Sequence, residues 1–142
     1  MRIFENVIDS AATVFGDAGE LSEEGVYTVD FDGVKLALFT SDNDPGDVYF
    51  RAKIASLEGT DNPGKLCEEA LQGNFFWSGT GGATLSLNRE ERTLYLTDRL
   101  SAESLPDADA VLAACRDLMR IVRDWQRRRD VHLLNPENEE VR

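Results

Sequence analysis

The stretch VYTVDFDGVKLALFT, Val26–Thr40, decides the fold. Two apolar runs flank the pair Asp32-Gly33. Asp-Gly in that setting is the signature of a type I′ hairpin turn, which needs positive φ at both central positions. Tyr27, Val29 and Phe31 share one face of the first run; Val34, Leu36 and Leu38 share one face of the second. A tight hairpin makes the two strands antiparallel. The alternation leaves one face polar, which an antiparallel sheet tolerates and a parallel βαβ sheet does not.

Upstream, Ile3, Phe4, Val7, Ile8, Ala11, Val14 and Phe15 fall at helical spacing, and Gly16 is placed to end that helix. GELSEEG reads as a polar loop. Downstream, SDNDPGD reads as a loop of turn formers, and DVYFRAKIASL alternates Val48, Phe50, Ala52 and Ile54 against Tyr49, Arg51 and Lys53. A short helix follows, with Asn62 as N-cap, Pro63 at its first position and Gly73 as C-terminal cap. Its apolar face is Leu66, Cys67, Ala70 and Leu71. GATLSLN and RTLYLTD form a second hairpin with a charged tip at Asn88–Glu91. Val111, Leu112, Cys115, Leu118, Met119, Val122 and Trp125 mark a last helix starting near Pro106 and Asp107. The fold expected is α+β: a mainly antiparallel five-stranded sheet with three helices, in the order α-β-β-β-α-β-β-α. One domain is expected over residues 1–129, with 130–142 a flexible polar tail.

Composition narrows the function. The 142 residues carry a formal charge of −12, which opposes nucleic-acid backbones and anionic membranes and suits a basic or amphipathic protein partner. No apolar run approaches a membrane span, and MRIFENVIDS has charges inside its apolar pattern, unlike a signal peptide. The basic stretch RIVRDWQRRRD is the exception to the acidity, with five arginines. Cys67 and Cys115 lie in no CxxC pair and read as reduced core thiols in a cytosolic protein.

Candidate chemistry is thin. GTDNPGKL, Gly59–Leu66, imitates a phosphate-binding loop, but Leu66 stands where a magnesium-binding hydroxyl belongs and Asp61 would oppose a phosphate. SDNDPGD lacks the ligand spacing of a calcium loop. His132, the one histidine, lies in the polar tail without a nucleophile. One histidine and two dispersed cysteines do not make a zinc site. No catalytic residue, metal or cofactor is therefore assigned, and the chain is read as a non-enzyme.

GNFFWSGTGGATL, Gly73–Leu85, remains. Its glycines read as the bend from the short helix into the next strand. If Phe75, Phe76 and Trp77 alternate, two enter the core and the third faces out; aromatics are also favoured anchors of protein interfaces.

These residues carry a resemblance. LCEEALQGNFFWSGTGGATLSLNREERTLYLTDRL resembles the central signature of the type III secretion chaperones of the Tir-chaperone family. Leu71, Gly73, Asn74 and Phe75 stand at that family's helix-ending step. Thr80–Leu85 stand at its TGGATL-like strand, and Leu94–Leu96 at the following apolar strand. Gly73 and Phe75 replace the usual alanine and leucine. The match runs from about Leu66 to Trp125; the first half agrees in element order and pattern. The resemblance implies a bacterial cytoplasmic, ATP-independent homodimer. It would bind the extended N-terminal segment of a cognate effector and present it to the export apparatus. It assigns dimerisation to Leu66, Ala70, Leu71, Phe75, Phe76, Trp77 and Leu85. It assigns effector contact to Ile3, Phe4, Val7, Ile8, Val29, Phe31 and Phe50. The alternative is a related-fold adaptor for a folded partner, with a nucleotide-binding protein a distant third. Homodimer against heterodimer stays open.

Overall fold

The computed structural model describes residues 2–132, with side chains from Glu5 onward. In chain order the elements are α1 (Arg2–Phe15), β1 (Gly19–Leu21), β2 (Tyr27–Phe31), β3 (Val34–Ser41), β4 (Asp44–Ser56), α2 (Pro63–Asn74), β5 (Thr84–Asn88), β6 (Thr93–Ser101) and α3 (Ala108–Val131). The fold is α+β, with an antiparallel sheet and three helices. The six strands run in the order β1-β2-β3-β4-β6-β5. The chain groups into two compact units, Met1–Ala52 with Thr97–Met119, and Lys53–Leu96 with the segment from Arg120.

In the first unit the hairpin forms as its sequence dictates. Asp32 and Gly33 take φ of 51° and 85°, and the Gly33 amide donates to Asp30 Oδ1 at 2.8 Å. Register then fixes the core in rows across three strands: Tyr27 opposite Leu38 opposite Phe50, and Val29 opposite Leu36 opposite Ala52. All six are buried. The other face of the same strands stacks Phe39 on Tyr49 at 5.6 Å, with the Arg51 guanidinium 5.4 Å from the Phe39 centroid and that of Arg99 5.8 Å from Tyr49. Arg99 also pairs with Asp44 and Asp47. Those rings and cations shield a sheet face that carries Ala37.

Two loops are shorter than the sequence indicates. Strand pairing reaches Ser41 opposite Asp44, so only Asp42 and Asn43 turn the chain, and Pro45, Gly46 and Asp47 belong to β4. The sixth strand, β1, lies in the segment read as a polar loop. Gly19–Leu21 pairs with β2 through backbone alone, and three residues are too few to show alternation. Gly19 is required there: a Cβ would stand 1.7 Å from the Tyr27 hydroxyl.

In the second unit Ile54, Leu57, Leu66, Ala70, Leu85, Leu94, Leu96, Val122 and Trp125 are buried. Asn62 caps α2, its Oδ1 accepting from the Lys65 amide at 3.1 Å, with Pro63 at the first helical position. Asp107 does the same for α3, accepting from the Ala110 amide at 2.9 Å. The latter helix continues through Val131. His132 follows it, its Nε2 3.2 Å from Glu69 Oε2 and its carbonyl accepting from the Asp61 amide. Of the segment expected as a flexible tail, residues 133–142 lie outside the described residues.

Asp98 on β6 is half-buried, and burial raises its carboxyl above the usual 3.8 against a lowering bond from the Arg99 amide. The folded state therefore holds this proton more tightly than the unfolded chain. Stability from the neutral form is complete at low pH and is lost as pH rises through the folded pKa. Asp98→Asn keeps the acceptor oxygen without the charge. It should stabilise the fold at pH 7 by at most about 1 kcal/mol, given partial solvent screening. The gain should vanish below about pH 3.8, as followed by thermal unfolding at both pH values.

Candidate functional site

The second unit presents a cluster of exposed apolar side chains at the end of α2. Leu71 is 72% exposed, Phe75 69%, Phe76 78% and Trp77 53%. The expectation that two of the three aromatics enter the core is overturned, and backbone geometry supplies the reason. Phe75–Trp77 is a 3-10 turn, not an alternating strand, and Phe76 and Trp77 both take left-handed φ, 50° and 55°. Phe75 and Phe76 meet edge to face at 4.8 Å.

What lies beneath them explains the direction. α2 turns Leu66, Ala70 and Gly73 inward, spaced four and three residues apart, which leaves Leu71 and Phe75 outside. Gly73 is not the C-terminal cap expected of it. It sits inside the helix because a Cβ there would stand 2.5 Å from Cζ2 of Trp125. Trp125 is fully buried, and its indole N–H donates to the Gly79 carbonyl at 2.9 Å. The Gly79 amide in turn donates to the Gly73 carbonyl at 2.9 Å. Asn74 then ties the helix end to β5. Its side chain accepts from the Leu85 amide and donates to the Leu85 carbonyl, both at 2.9 Å. Gly81 and Gly82, with φ of 60° and 103°, complete the bend into β5. On β5, Leu85 is buried and Leu87 is 47% exposed.

Beside this turn a polar recess of about 300 Å³ is lined by Glu69, Gln72, Gly73, Ser78, Gly79 and Arg128. The Arg128 guanidinium lies 4.4 Å from the Trp125 ring centroid and pairs with Asp124 at 3.4 Å. The neighbouring GTDNPGKL segment is taken up by the fold's own contacts. Asn62 caps the first turn, and Asp61 bonds to His132, so the helix start serves α2 itself. In the first unit burial pushes the Cys115 thiol up to about 12, which keeps it protonated and unreactive. Tyr27 is raised by burial and then by the nearby Cys115.

The residues assigned to dimerisation therefore separate into two sets. Leu71, Phe75, Phe76 and Trp77 are surface; Leu66, Ala70 and Leu85 are core beneath them. Among those assigned to effector contact, Val7, Ile8, Val29 and Phe50 are buried within the first unit. Phe31 is half-buried, edge to face with Phe15 at 5.4 Å. Ile3 and Phe4 stand on α1, and their side chains lie outside the described residues. Sequence reasoning missed Leu21, 53% exposed on the edge strand β1, and Leu87 on β5, at the sheet's other edge. Leu87 stands one strand period from the buried Leu85, and only the position of the sheet edge separates them.

The sequence profile of the Tir chaperone protein (CesT) family matches residues 17–126. The chain belongs to that family. No curated protein matches it in sequence. Two solved structures share the fold. A chain of the ExsC–ExsE complex superposes with a TM-score of 0.70 at 15% identity, over 89% of this chain and 92% of that one. A chain of the HopA1–SchA chaperone–effector complex superposes with a TM-score of 0.64 at 15% identity, over 88% and 94%. The family match covers both hairpins, α2 and most of α3, so it extends well upstream of the Leu66–Trp125 stretch that carried the resemblance.

Gly73→Ala sets two magnitudes against each other. Alanine is the better helix former by about 1 kcal/mol, whereas overpacking a tight core costs about 1–3 kcal/mol. With a Cβ forced to 2.5 Å from the indole, overpacking wins. The variant should lower Tm by about 3–8 °C in thermal unfolding, and an unchanged or higher Tm would refute the contact.

Proposed function

We propose that this protein is a type III secretion chaperone that holds the extended N-terminal segment of a cognate effector in an export-competent state, by binding alone and without ATP. The observation that carries this reading is the family match over residues 17–126. The HopA1–SchA fold relative, a chaperone–effector complex, supports the same reading. The physics is that of strand addition. An extended peptide pairs with an open sheet edge while its side chains fill apolar patches. β1 and β5 are the two edges, and each carries an exposed leucine, Leu21 and Leu87. The proposed effector contact uses the first-half surface at Phe31 and Phe15 and, separately, the β1 edge at Leu21, with the buried Val7, Ile8, Val29 and Phe50 as the core of that unit. Ile3 and Phe4 belong to the same assignment.

The chaperone works as a homodimer in the bacterial cytoplasm and hands its cargo to the export apparatus. Among the described residues no helix is long and apolar enough to cross a membrane. The dimer contact is the exposed set Leu71, Phe75, Phe76 and Trp77, seated on Leu66, Ala70 and Leu85. Fully burying one large apolar side chain gains about 1.5–3 kcal/mol, so four such groups on each copy can offset the entropy of association. A twofold contact uses the same patch on both copies, so one cluster suffices.

Affinity capture of the full chain from its native cytosol, read by mass spectrometry, tests the cargo. One partner engaged through an unfolded N-terminal segment, at two chaperone chains per partner, is the expected result. Recovery of folded enzymes alone would instead favour an adaptor. For the contact, Leu71→Asp or Phe76→Asp should yield a monomer or an aggregate by light scattering. Each places a charge in a patch meant to lose its water. A dimer unaltered by both would remove the assigned interface.

A further inference from the structure

Two consecutive residues with large side chains, Phe76 and Trp77, hold left-handed backbone at φ of 50° and 55°. Residues of that bulk adopt it only where the surroundings impose it. Part of the imposition is local. The amides of Thr80 and Gly81 both donate to the Trp77 carbonyl, at 3.3 and 3.2 Å, and the Ser78 amide donates to Phe75 at 3.1 Å. Such a loop could still swing as one piece about the end of α2. The long-range restraint comes from Trp125, 46 positions away from the glycine that it bonds, whose indole N–H reaches the Gly79 carbonyl at 2.9 Å. The same ring fills the space that a side chain at position 73 would take, 2.5 Å from its ideal Cβ, while at position 79 a Cβ would press on the Gly73 backbone at 3.0 Å and touch the ring at 3.5 Å. Arg128 lies against the ring at 4.4 Å. A fully buried donor and two glycines thus hold the base of the turn, and the three aromatics are left on the outside.

We propose that Trp125 is a positioning residue for self-association. By its bond to Gly79 and its packing on Gly73, it fixes the outward geometry of Phe75, Phe76 and Trp77 that a second copy of this chain recognises. The proposal rests on the reading of that turn as the homodimer contact. It adds that recognition depends on a residue the partner never touches, because rigid anchors bind with less loss of entropy than mobile ones.

Trp125→Phe keeps an aromatic ring and removes the N–H donor. Val122→Ala, a truncation of a fully buried side chain in the same helix, controls for general loss of stability. Sedimentation equilibrium of the full chain, at a temperature where all variants are folded, should show self-association weakened about tenfold or more by Trp125→Phe. Val122→Ala should weaken it less than about threefold. Hydrogen exchange supplies a second readout. The Thr80 and Gly81 amides should exchange about tenfold faster in Trp125→Phe, while the β2–β3 hairpin amides keep their protection. If Trp125→Phe fails to fold, Gly73→Ala displaces the same indole from the other side and should reproduce the weakened association. A dimeric wild type whose association and turn exchange survive these changes would overturn the proposal alone. A wild type monomeric at every concentration would overturn the dimer reading together with it.

Discussion

The indole of Trp125 stands where the side chain of residue 73 would be, and much of the second unit follows from that exclusion. A glycine must occupy the last turn of α2, although glycine is the weakest ordinary helix former there. The helix is kept in place by other means: an Asn cap and Pro63 at its start, and the double bond from Asn74 to Leu85 at its end. With the helix end held, the chain has to reverse at once toward β5. The reversal uses two left-handed aromatic residues before it reaches the glycines that suit such backbone. The exposed rings are thus the outcome of close packing beneath them, which is why the patch and the core cannot be altered independently.

That coupling also marks how far the sequence could be read. The Val26–Thr40 hairpin, the alternation of β4 and the Asn62–Pro63 start of α2 all rest on interactions within a few residues, and each was legible. β1 was not, since three residues carry no period and its pairing is made by backbone groups. The division of Leu66, Ala70 and Leu85 from Leu71, Phe75, Phe76 and Trp77 was invisible for a different reason. All seven are apolar, and α2 as read offered Leu66, Cys67, Ala70 and Leu71 as one face. Which part of that face is interior depends on where Trp125 sits, and Trp125 comes more than fifty positions later. The misreading of Gly73 as a cap has the same source. Glycine near a helix end usually supplies positive φ; here it supplies space. In the first unit Val7, Val29 and Phe50 were read as patch because periodicity gives the face of an element and not what covers it.

The arginines near the chain's end look, by composition, like a basic binding surface on an acidic protein. The structure gives several of them internal work. Arg127 and Arg128 pair with Asp124, and Arg128 also lies against Trp125. Arg129 donates to the Ile54 carbonyl and pairs with Asp130. Cations in the last turn of α3 favour its macrodipole as well. His132 extends this role: it faces Glu69 on α2, and its carbonyl takes the Asp61 amide just before the Asn62 cap. The segment that imitates a phosphate loop is thereby tied at Asp61 to the residue that follows α3.

A chaperone for an extended chain has to keep its own sheet edges and apolar patches open without joining other copies at random. Two features of this molecule meet that requirement by different physics. The net charge of −12 sets a general repulsion between copies, which acts over about a Debye length, near 8 Å at physiological salt. Apolar contact acts only at atomic distance and only where the shapes agree. Attraction therefore wins at a patch that is both large and held rigid, and repulsion wins elsewhere. On the proposed homodimer reading, the exposed Leu71, Phe75, Phe76 and Trp77 form such a patch. Leu21 and Leu87 are single exposed leucines on short edge strands of three and five residues, too small to attract one another against that charge. They gain enough only when a longer peptide brings backbone hydrogen bonds and side chains together, which on the proposed reading is the condition under which an export substrate, and not another chaperone, occupies the edge.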